Sequence, residues 1–228
     1  MENSSSWSFN KLNQISLVKH WLANLSLKVR GEQLEVMKQL FDVNKKTKVL
    51  DVGVSPNEEL IDTNFFEKNY PYLEKVTAAS IEDCSQLKDK YMGVRFIKIK
   101  AGEKLPFADK MFDLVVSWAT LEHVGGYKEQ AFFLSELERV GKKVFVTTPY
   151  RGCVYEPHTG IFLLHWLPLK LFRGVCKIVN KPFWSKQENL NPLWVRDVKK
   201  ITDGRLKIRI YKTFGILPTH LLIHSLNA

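Results

Sequence analysis

The stretch KLPFADKMFDLVVSWATLEHV, residues 104–124, decides the predicted fold of this chain. Within it, residues 112–117 are a compact apolar run with one charged member, preceded by a turn-forming ADK and followed by a tryptophan. A short apolar run bounded by turn signals is typical of a buried strand. Ligands of open α/β sheets bind just beyond the carboxyl ends of such strands. We therefore expect Trp118, Glu122 and His123 at the mouth of a pocket.

Strands and helices are predicted to alternate on both sides of this run. A strand of buried type is predicted at 48–52, further strands at 76–81, 94–99 and 143–147, and helices at 12–40, 58–69 and 129–140. A further helix is predicted at 192–201, followed by strands at 206–214 and 220–225. Such alternation favours a parallel sheet with helices on both faces. The last two strands are close enough in sequence to form a terminal hairpin.

The composition is that of a globular protein in a reducing compartment. Of the 228 residues, 45% are hydrophobic and 25% charged. The three cysteines, Cys84, Cys153 and Cys176, are too few and too scattered for a disulfide framework or a metal cluster. The N-terminus does not have the pattern of a signal peptide, and the longest apolar stretch, 161–169, is far below the roughly 20 residues of a membrane span. A cytoplasmic location is expected.

The net charge of +10 is concentrated in the last third of the chain. Residues 151–228 contain 13 Lys and Arg but only 4 Asp and Glu, so they carry +9 of it. This asymmetry indicates an anionic partner, such as a membrane surface, a phosphorylated substrate or a nucleic acid. A solvated basic face is the alternative.

A short basic amphipathic helix is predicted at 168–181, PLKLFRGVCKIVNK. Its basic stripe consists of Lys170, Arg173, Lys177 and Lys181, and its apolar stripe of Leu171, Phe172, Val175 and Val179. Together with the flanking tryptophans, this pattern is typical of a helix that lies on a membrane surface. Packing of the helix against the domain is the competing interpretation.

The loop after the first strand, KVLDVGVSPNEE at 48–59, carries a family resemblance. Asp51 and Gly53, together with the LPF…FDLV…LEHV pattern of the opening stretch, resemble class I S-adenosylmethionine-dependent methyltransferases of the methyltransferase type 11 kind. The resemblance implies S-adenosyl-L-methionine as the cofactor. It also implies an α/β fold: a Rossmann-like doubly wound seven-stranded sheet with a terminal antiparallel hairpin and a helical insertion after strand five. Residues 1–46 are then an N-terminal helical segment, and 47–228 the methyltransferase-like domain with its insertion at about 151–191.

The resemblance also implies the cofactor contacts, which would come from four consecutive strand ends. They are Asp51, Gly53, Ser55 and Asn57 after the first strand, Ser80 and Ile81 after the second, Ala101, Gly102 and Glu103 after the third, and Trp118 after the fourth. Three of these positions depart from the family pattern. Ser55 replaces a glycine, Ser80 replaces the acidic residue that holds the ribose, and Ala101 replaces an aspartate. Glu82 or Asp83 is then a candidate for the ribose.

Catalytic residues are predicted in TTPYRGCVYEPHTGIFLLHWLP, residues 147–168, which follows strand five. Polar side chains among aromatic ones are typical of a small-molecule site, and the EPHTG…LHWLP segment resembles some sugar- and lipid-linked methyltransferase relatives. His158 is the candidate base, Glu156 its orienting partner and His123 its companion across the strand-five edge. A structural role for these histidines and for the segment is the alternative. No metal is expected, because His158 and His165 lack a third ligand at a useful sequence spacing.

The predicted function is therefore methyl transfer from S-adenosylmethionine to a small or lipid-linked hydroxyl substrate, with glycan or cell-envelope biosynthesis as the setting. One alternative is a methyltransferase-like binding protein that has lost the cofactor. The other is a nucleic-acid methyltransferase, which is disfavoured because SWAT replaces the (N/D)PP(Y/F) turn expected after strand four. The sequence does not specify an oligomeric state.

Overall fold

The computed structural model describes residues 16–156 and 158–226, which form a seven-stranded sheet with helices on both faces. Its strands, in spatial order, are β3 (Arg95–Lys98), β2 (Val76–Ser80), β1 (Val49–Val52), β4 (Phe112–Trp118), β5 (Gly141–Pro149), β9 (Leu217–Ser225) and β8 (Leu206–Thr213). The first five are parallel, whereas β9 is antiparallel to β5 and to β8. This confirms the predicted doubly wound sheet and its terminal hairpin.

The central strands are apolar because both faces of the sheet are covered. All four residues of β1 are buried, and in β4 only Asp113 is partly accessible. One face packs on α1 (Ser16–Phe41) through Leu34 and Met37, and on α2 (Phe65–Asn69). The other face packs on α3 (Tyr127–Val140) and α5 (Val195–Ile201). The carboxyl ends of the parallel strands are thereby aligned at one edge of this layered core.

The helix predicted at 58–69 is wrong for most of its length, since only α2, Phe65–Asn69, is helical. Asn64 has a left-handed backbone with a φ of 49°, which interrupts a continuous helix. Upstream, the Glu58 carboxylate pairs with Lys90 at 2.5 Å and accepts a hydrogen bond from the Tyr91 hydroxyl. Residues 53–64 are therefore an irregular loop tied to the region after β2.

The insertion after β5 has more strand structure than the sequence predicted. Its two-stranded hairpin consists of β6 (Tyr155–Glu156) and β7 (Ile161–Phe162) and precedes α4 (Leu169–Ile178). A small core of its own contains Leu164, Phe172, Cys176, Trp184 and Leu190. Among the described residues, no helix combines the length and the apolar character that crossing a bilayer requires.

Candidate active site

Gly53 lies directly after β1, where the chain leaves the sheet. Its φ is 116°, in a region that side chains disfavour and glycine tolerates. A Cβ at this position would lie 2.0 Å from Thr120 Oγ1, far inside van der Waals contact. Gly53 is exposed, although Val52 and Val54 on either side are buried. The loop therefore presents bare backbone to solvent, which a closely held ligand requires.

The loop after Gly53 satisfies most of its polar groups internally. Asn64 brackets Ser55, because its Oδ1 accepts from Ser55 N at 3.0 Å and its Nδ2 donates to Ser55 O at 2.8 Å. Ser55 Oγ in turn accepts from Asn57 N at 3.2 Å, and Asn57 Oδ1 from Glu59 N at 2.9 Å. Ser55 and Asn57 thus fix the shape of the loop, and their contact with a cofactor stays a prediction.

Asp51 is buried inside β1, close to Glu67 of α2. Burial raises the pKa of the Asp51 carboxyl well above its ordinary value, and the Glu67 charge adds to that rise. Burial likewise raises the pKa of Glu67 to about 7. A hydrogen bond between the two side chains raises the pKa of Asp51 further and lowers that of Glu67, as expected when Asp51 holds the proton. The two carboxyls therefore share a buried setting that favours protonation, and a contact between Asp51 and a cofactor stays a prediction.

The ends of β2 and β3 form an open surface beside Gly53. Ser80 is buried and its Oγ accepts from Glu82 N at 3.1 Å, so this hydroxyl shapes the turn. The next residue, Ile81, is 58% exposed. After β3, the backbone turns through Ala101 and Gly102, which are both exposed, and Gly102 has a φ of 73° with open space where a Cβ would be. The exposed side chain of Ile81 thus lies near the turn at Gly102, where the backbone is open to solvent.

Glu103, the last of the predicted contacts after β3, is exposed and pairs with a neighbouring cation. Its Oε1 lies 3.4 Å from Lys100 Nζ. An exposed pair of this kind is weak, because solvent screens it and holding it costs side-chain entropy. Glu103 is accordingly free to rearrange toward a ligand.

Trp118 closes the floor beneath the Gly53 loop. Its ring packs against Phe65, Phe66 and Phe145, with centroid distances of 6.4, 6.2 and 5.6 Å. It is 9% exposed, and its Nε1 has no hydrogen-bond partner among the described side chains and backbone. Trp118 thus packs into the apolar core below the strand ends, and its contact with a cofactor stays a prediction.

The segment after β4 links the Gly53 loop to a second cluster of polar side chains. Ala119 has a φ of 51°, which turns the chain out of the sheet and brings Thr120 over Gly53. His123 N then donates to Thr120 O at 2.8 Å in a tight turn. This hydrogen bond therefore holds His123 close to Thr120, the residue that packs against Gly53.

This second cluster consists of Glu122, His123 and His158. The two imidazole rings meet edge to face with centroids 4.9 Å apart, as expected for companions across the β5 edge. Glu122 Oε1 lies 3.6 Å from His123 Nε2. Potential ligand atoms of the three side chains all lie within 4.8 Å of one another. Charge, base and metal-binding chemistry are thus concentrated at one point.

Two hydrogen bonds orient the cluster. His123 Nδ1 is 2.6 Å from the Asn189 carbonyl oxygen, and because a carbonyl only accepts, Nδ1 carries the proton. Its Nε2 faces Glu122. Thr148 Oγ1 donates to Glu122 Oε2 at 2.8 Å, which leaves Glu122 Oε1 directed elsewhere.

Aromatic and apolar residues of the insertion enclose the cluster. The Trp184 ring lies 6.2 Å from the His123 ring and 5.0 Å from that of His158. A cavity of about 10 Å³ borders Glu122 and His158, which is room for about one water molecule. It is also lined by Tyr155 and His165. A small polar group could therefore reach the cluster from this side.

Arg151 attaches the insertion to the end of β5. Its Nε donates to the His165 carbonyl and its second amino group to the Leu167 carbonyl, both at 2.7 Å. The guanidinium also lies over the Trp194 ring at 5.6 Å. Burial lowers the pKa of Arg151 from its ordinary value. Its bonds fix the chain that carries His158 and His165 relative to the sheet.

Residues 51–144 match the family model of a methyltransferase domain. Over this span the chain is similar to methyltransferase domains, which agrees with the predicted family and its cofactor, S-adenosyl-L-methionine. Comparison with curated proteins finds no match.

Several solved structures of S-adenosylmethionine-dependent methyltransferases share the fold of this chain. A S-adenosylmethionine-dependent methyltransferase from Aquifex aeolicus is 16% identical with a TM-score of 0.54, and the match covers 89% of this chain and 98% of that one. One from Methanosarcina mazei is 16% identical, with a TM-score of 0.52 and coverage of 83% and 95%. Geranyl diphosphate C-methyltransferase from Streptomyces coelicolor, solved with Mg²⁺, geranyl diphosphate and S-adenosyl-L-homocysteine, is 12% identical with a TM-score of 0.58 and coverage of 96% and 86%.

The strand ends leave room for a cofactor. The bare backbone at Gly53 would allow a ligand to approach closely, and exposed Ile81 would offer an apolar face, while contact of either residue with the cofactor stays a prediction. The ribose lacks the usual carboxylate, because Ser80 stands there. Glu82 and Asp83 are both exposed, but Asp83 also accepts from Ser85 N at 2.9 Å, so Glu82 is the less engaged candidate and a ribose contact stays a prediction.

Sequence reasoning found part of the second cluster and missed the rest. It paired His123 with His158, which the structure brings together, while the side chain of Glu156 lies outside the described residues. It missed Thr148 and Asn189 as the groups that orient the cluster. No sequence signal identifies these two, because they are an ordinary strand threonine and a loop asparagine whose contacts arise only through folding.

Proposed function

We propose that the chain is a cytoplasmic methyltransferase that transfers the methyl group of S-adenosylmethionine to a hydroxyl of a small or lipid-linked acceptor, in glycan or cell-envelope biosynthesis. The observation that supports it best is the pair formed by His123 and His158 beside the cofactor loop. The Thr120 contact with Gly53 keeps this pair adjacent to the place where the methyl donor would lie. A histidine pair at that place suits an acceptor that must lose a proton.

The reaction itself is an in-line displacement. The acceptor oxygen forms a bond to the methyl carbon as the carbon–sulfur bond of the cofactor breaks, and S-adenosylhomocysteine leaves. An alcohol must give up its proton during this step, and imidazole has a suitable pKa for accepting it. In the neutral form of His123, Nδ1 donates to Asn189, so Nε2 is the nitrogen that can accept a proton. Positioning of the two reactants supplies the remaining catalytic effect.

The exterior of the insertion supports a lipid-linked acceptor. The α4 helix buries Phe172 and Cys176 in the small insertion core, yet Leu171 is 58% and Ile178 84% exposed. Basic side chains at Lys170 and Lys177 are exposed on the same helix. Apolar side chains flanked by cations suit an anionic membrane surface, where the apolar groups enter the headgroup region. We propose that 168–181 contacts such a surface and brings the acceptor to the cluster.

This proposal is tested by calorimetry with the cofactor, followed by a methyl-transfer assay. The purified protein is titrated with S-adenosylmethionine and S-adenosylhomocysteine, and then incubated with methyl-labelled cofactor and either lipid-linked sugars or nucleic acid. We expect binding of both cofactor forms, and label only in the lipid-linked sugar fraction. Failure to bind either form at millimolar concentration would refute cofactor-dependent activity. Label in nucleic acid would instead establish the alternative acceptor class.

A further inference from the structure

We propose that Glu122, His123 and His158 bind a divalent transition-metal ion, of which Zn²⁺ is the best match. One carboxylate oxygen and two imidazole nitrogens are a common set of three protein ligands for zinc when a fourth position is left for water or substrate. The three residues come from the turn after β4 and from the hairpin after β5. The proposal for metal binding is independent of the proposed acceptor.

Glu122 provides the strongest reason for a cation. Its side chain is 1% exposed. Thr148 donates to Oε2, but Oε1 accepts no hydrogen bond within the described residues. A buried carboxylate oxygen without a partner is strongly disfavoured, because it has lost its hydration without replacement. A cation at Oε1 removes that penalty.

His123 already has the arrangement of a metal ligand. Metal-binding histidines commonly donate their other N–H to a carbonyl or carboxylate, which fixes the ring and its tautomer. Here Nδ1 donates to the Asn189 carbonyl, so the Nε2 lone pair points at Glu122 Oε1 across 3.6 Å. Two ligands of a tetrahedral zinc ion with bonds of 2.0–2.1 Å are about 3.3 Å apart. The observed distance between His123 Nε2 and Glu122 Oε1 is close to this separation of two zinc ligands.

His158 and the neighbouring cavity complete the site. The ligand atom of His158 lies within 4.8 Å of those of Glu122 and His123, which is a gap that a small rotation of one side chain closes. The cavity beside Glu122 and His158 leaves room for one oxygen atom as the fourth ligand. The site therefore has an open position, as catalytic rather than structural zinc sites do.

A role for this ion follows if the acceptor is a hydroxyl, and this step rests on the proposed function. A divalent cation lowers the pKa of a hydroxyl that coordinates to it, so the proton can leave to water at neutral pH. The acceptor oxygen then attacks the methyl carbon, the carbon–sulfur bond breaks and S-adenosylhomocysteine departs. The histidines would act through the cation instead of accepting the proton themselves.

The alternative to a metal ion is a proton on His123 Nε2, which would form an ion pair with Glu122. To distinguish a metal site from this ion pair, protein stripped with a chelator is titrated with Zn²⁺ by calorimetry, and bound metal is counted by mass spectrometry after dialysis. We expect one ion per chain. The variants H158Q and H123Q should each weaken binding at least 10-fold. T148V, which only removes the group that orients Glu122, should weaken it about 10- to 100-fold.

The matched control is H220Q, because His220 lies in β9 and bonds to Thr219, and it should bind Zn²⁺ as the wild type does. Thermal unfolding of each variant identifies any that fail to fold, and H158Q serves where H123Q does not. Absence of zinc uptake by the wild type, or equal uptake by wild type, H158Q and T148V, would overturn the metal site. Cofactor calorimetry on the same metal-stripped protein distinguishes failure of the metal site from failure of the proposed activity. Cofactor binding without zinc uptake refutes only the metal site, whereas zinc uptake without cofactor binding refutes only the proposed activity.

Discussion

The two halves of the active edge are built in different ways. The cofactor half, at the ends of β1, β2 and β3, is shaped by backbone: a glycine, tight turns and side chains that bond to their own loop. The acceptor half, after β4 and β5, is made of side chains that come from widely separated parts of the chain. The structure of the first half is therefore specified by local sequence, whereas that of the second depends on how the insertion packs against the sheet.

The largest expected effect is on the acceptor half. Replacing His158 with glutamine should reduce methyl transfer about 10²- to 10⁴-fold, because proton removal from the acceptor is lost. Cofactor binding should remain unchanged, since His158 is not among the cofactor-side residues. Transfer assays and cofactor calorimetry measure the two separately, with H220Q as the control. If H158Q lost both properties to the same extent, the separation of the two halves would be wrong.

The pH dependence of stability should belong to the cofactor half. Burial raises the pKa of Glu67 from its ordinary value of 4.5 to about 7 and raises that of Asp51 as well. The folded protein therefore holds protons that the unfolded chain releases above about pH 4.5. The contribution of this pair to stability is therefore greatest below that pH and falls as the pH rises toward 7, by on the order of 2–4 kcal/mol for Glu67.

The variant E67Q should flatten this decline, because the amide has no proton to lose. Chemical denaturation of wild type and E67Q at pH 5 and pH 8 measures the difference. E122Q, which changes a buried carboxylate of the acceptor half, is the matched comparison. The same pH dependence of stability in wild type and E67Q between pH 5 and pH 8 would contradict the buried, protonated pair.

Substitution of Gly53 tests the backbone character of the cofactor half. In G53A the new Cβ would collide with Thr120 and the residue would have to keep a φ of 116°. The backbone strain alone costs about 1–3 kcal/mol, and cofactor affinity should fall as the loop moves. Gly102 also has a positive φ but open space around it, so G102A isolates the strain from the collision. Equal loss of cofactor affinity in G53A and G102A would show that the Thr120 contact has no role.

The smallest effect concerns the outer surface of the acceptor half. The double variant K170E/K177E should reduce flotation with anionic vesicles, because each basic residue near such a surface contributes about 1 kcal/mol. Activity on a soluble acceptor should be unaffected, since both lysines are exposed on α4. Vesicles without anionic lipid give the control. Flotation equal to that of the wild type would reject a membrane role for 168–181.

The elements that could be predicted are those whose signal is local. The mainly apolar runs of β1, β4 and β5 could be recognised because a strand covered on both faces favours apolar side chains. The helix predicted at 58–69 failed, because the residues that stop it act through contacts distant in sequence. Asn64 takes a left-handed backbone and brackets Ser55, while Glu58 pairs with Lys90. Helical propensity at 58–64 was outweighed by these bonds.

Three features could be predicted from the sequence alone: the strand–helix alternation, the glycine at the end of β1 and the pairing of His123 with His158. The side chains that surround this histidine pair depend on the tertiary structure. Folding brings Glu122 within reach of both histidines and lets Thr148 donate to one carboxylate oxygen, while the other accepts no hydrogen bond from the residues that the structure describes. The physical reason is that burial and hydrogen-bond geometry depend on where separate segments meet. No spacing along the chain encodes that a strand threonine, a loop carbonyl and a hairpin histidine converge on one point.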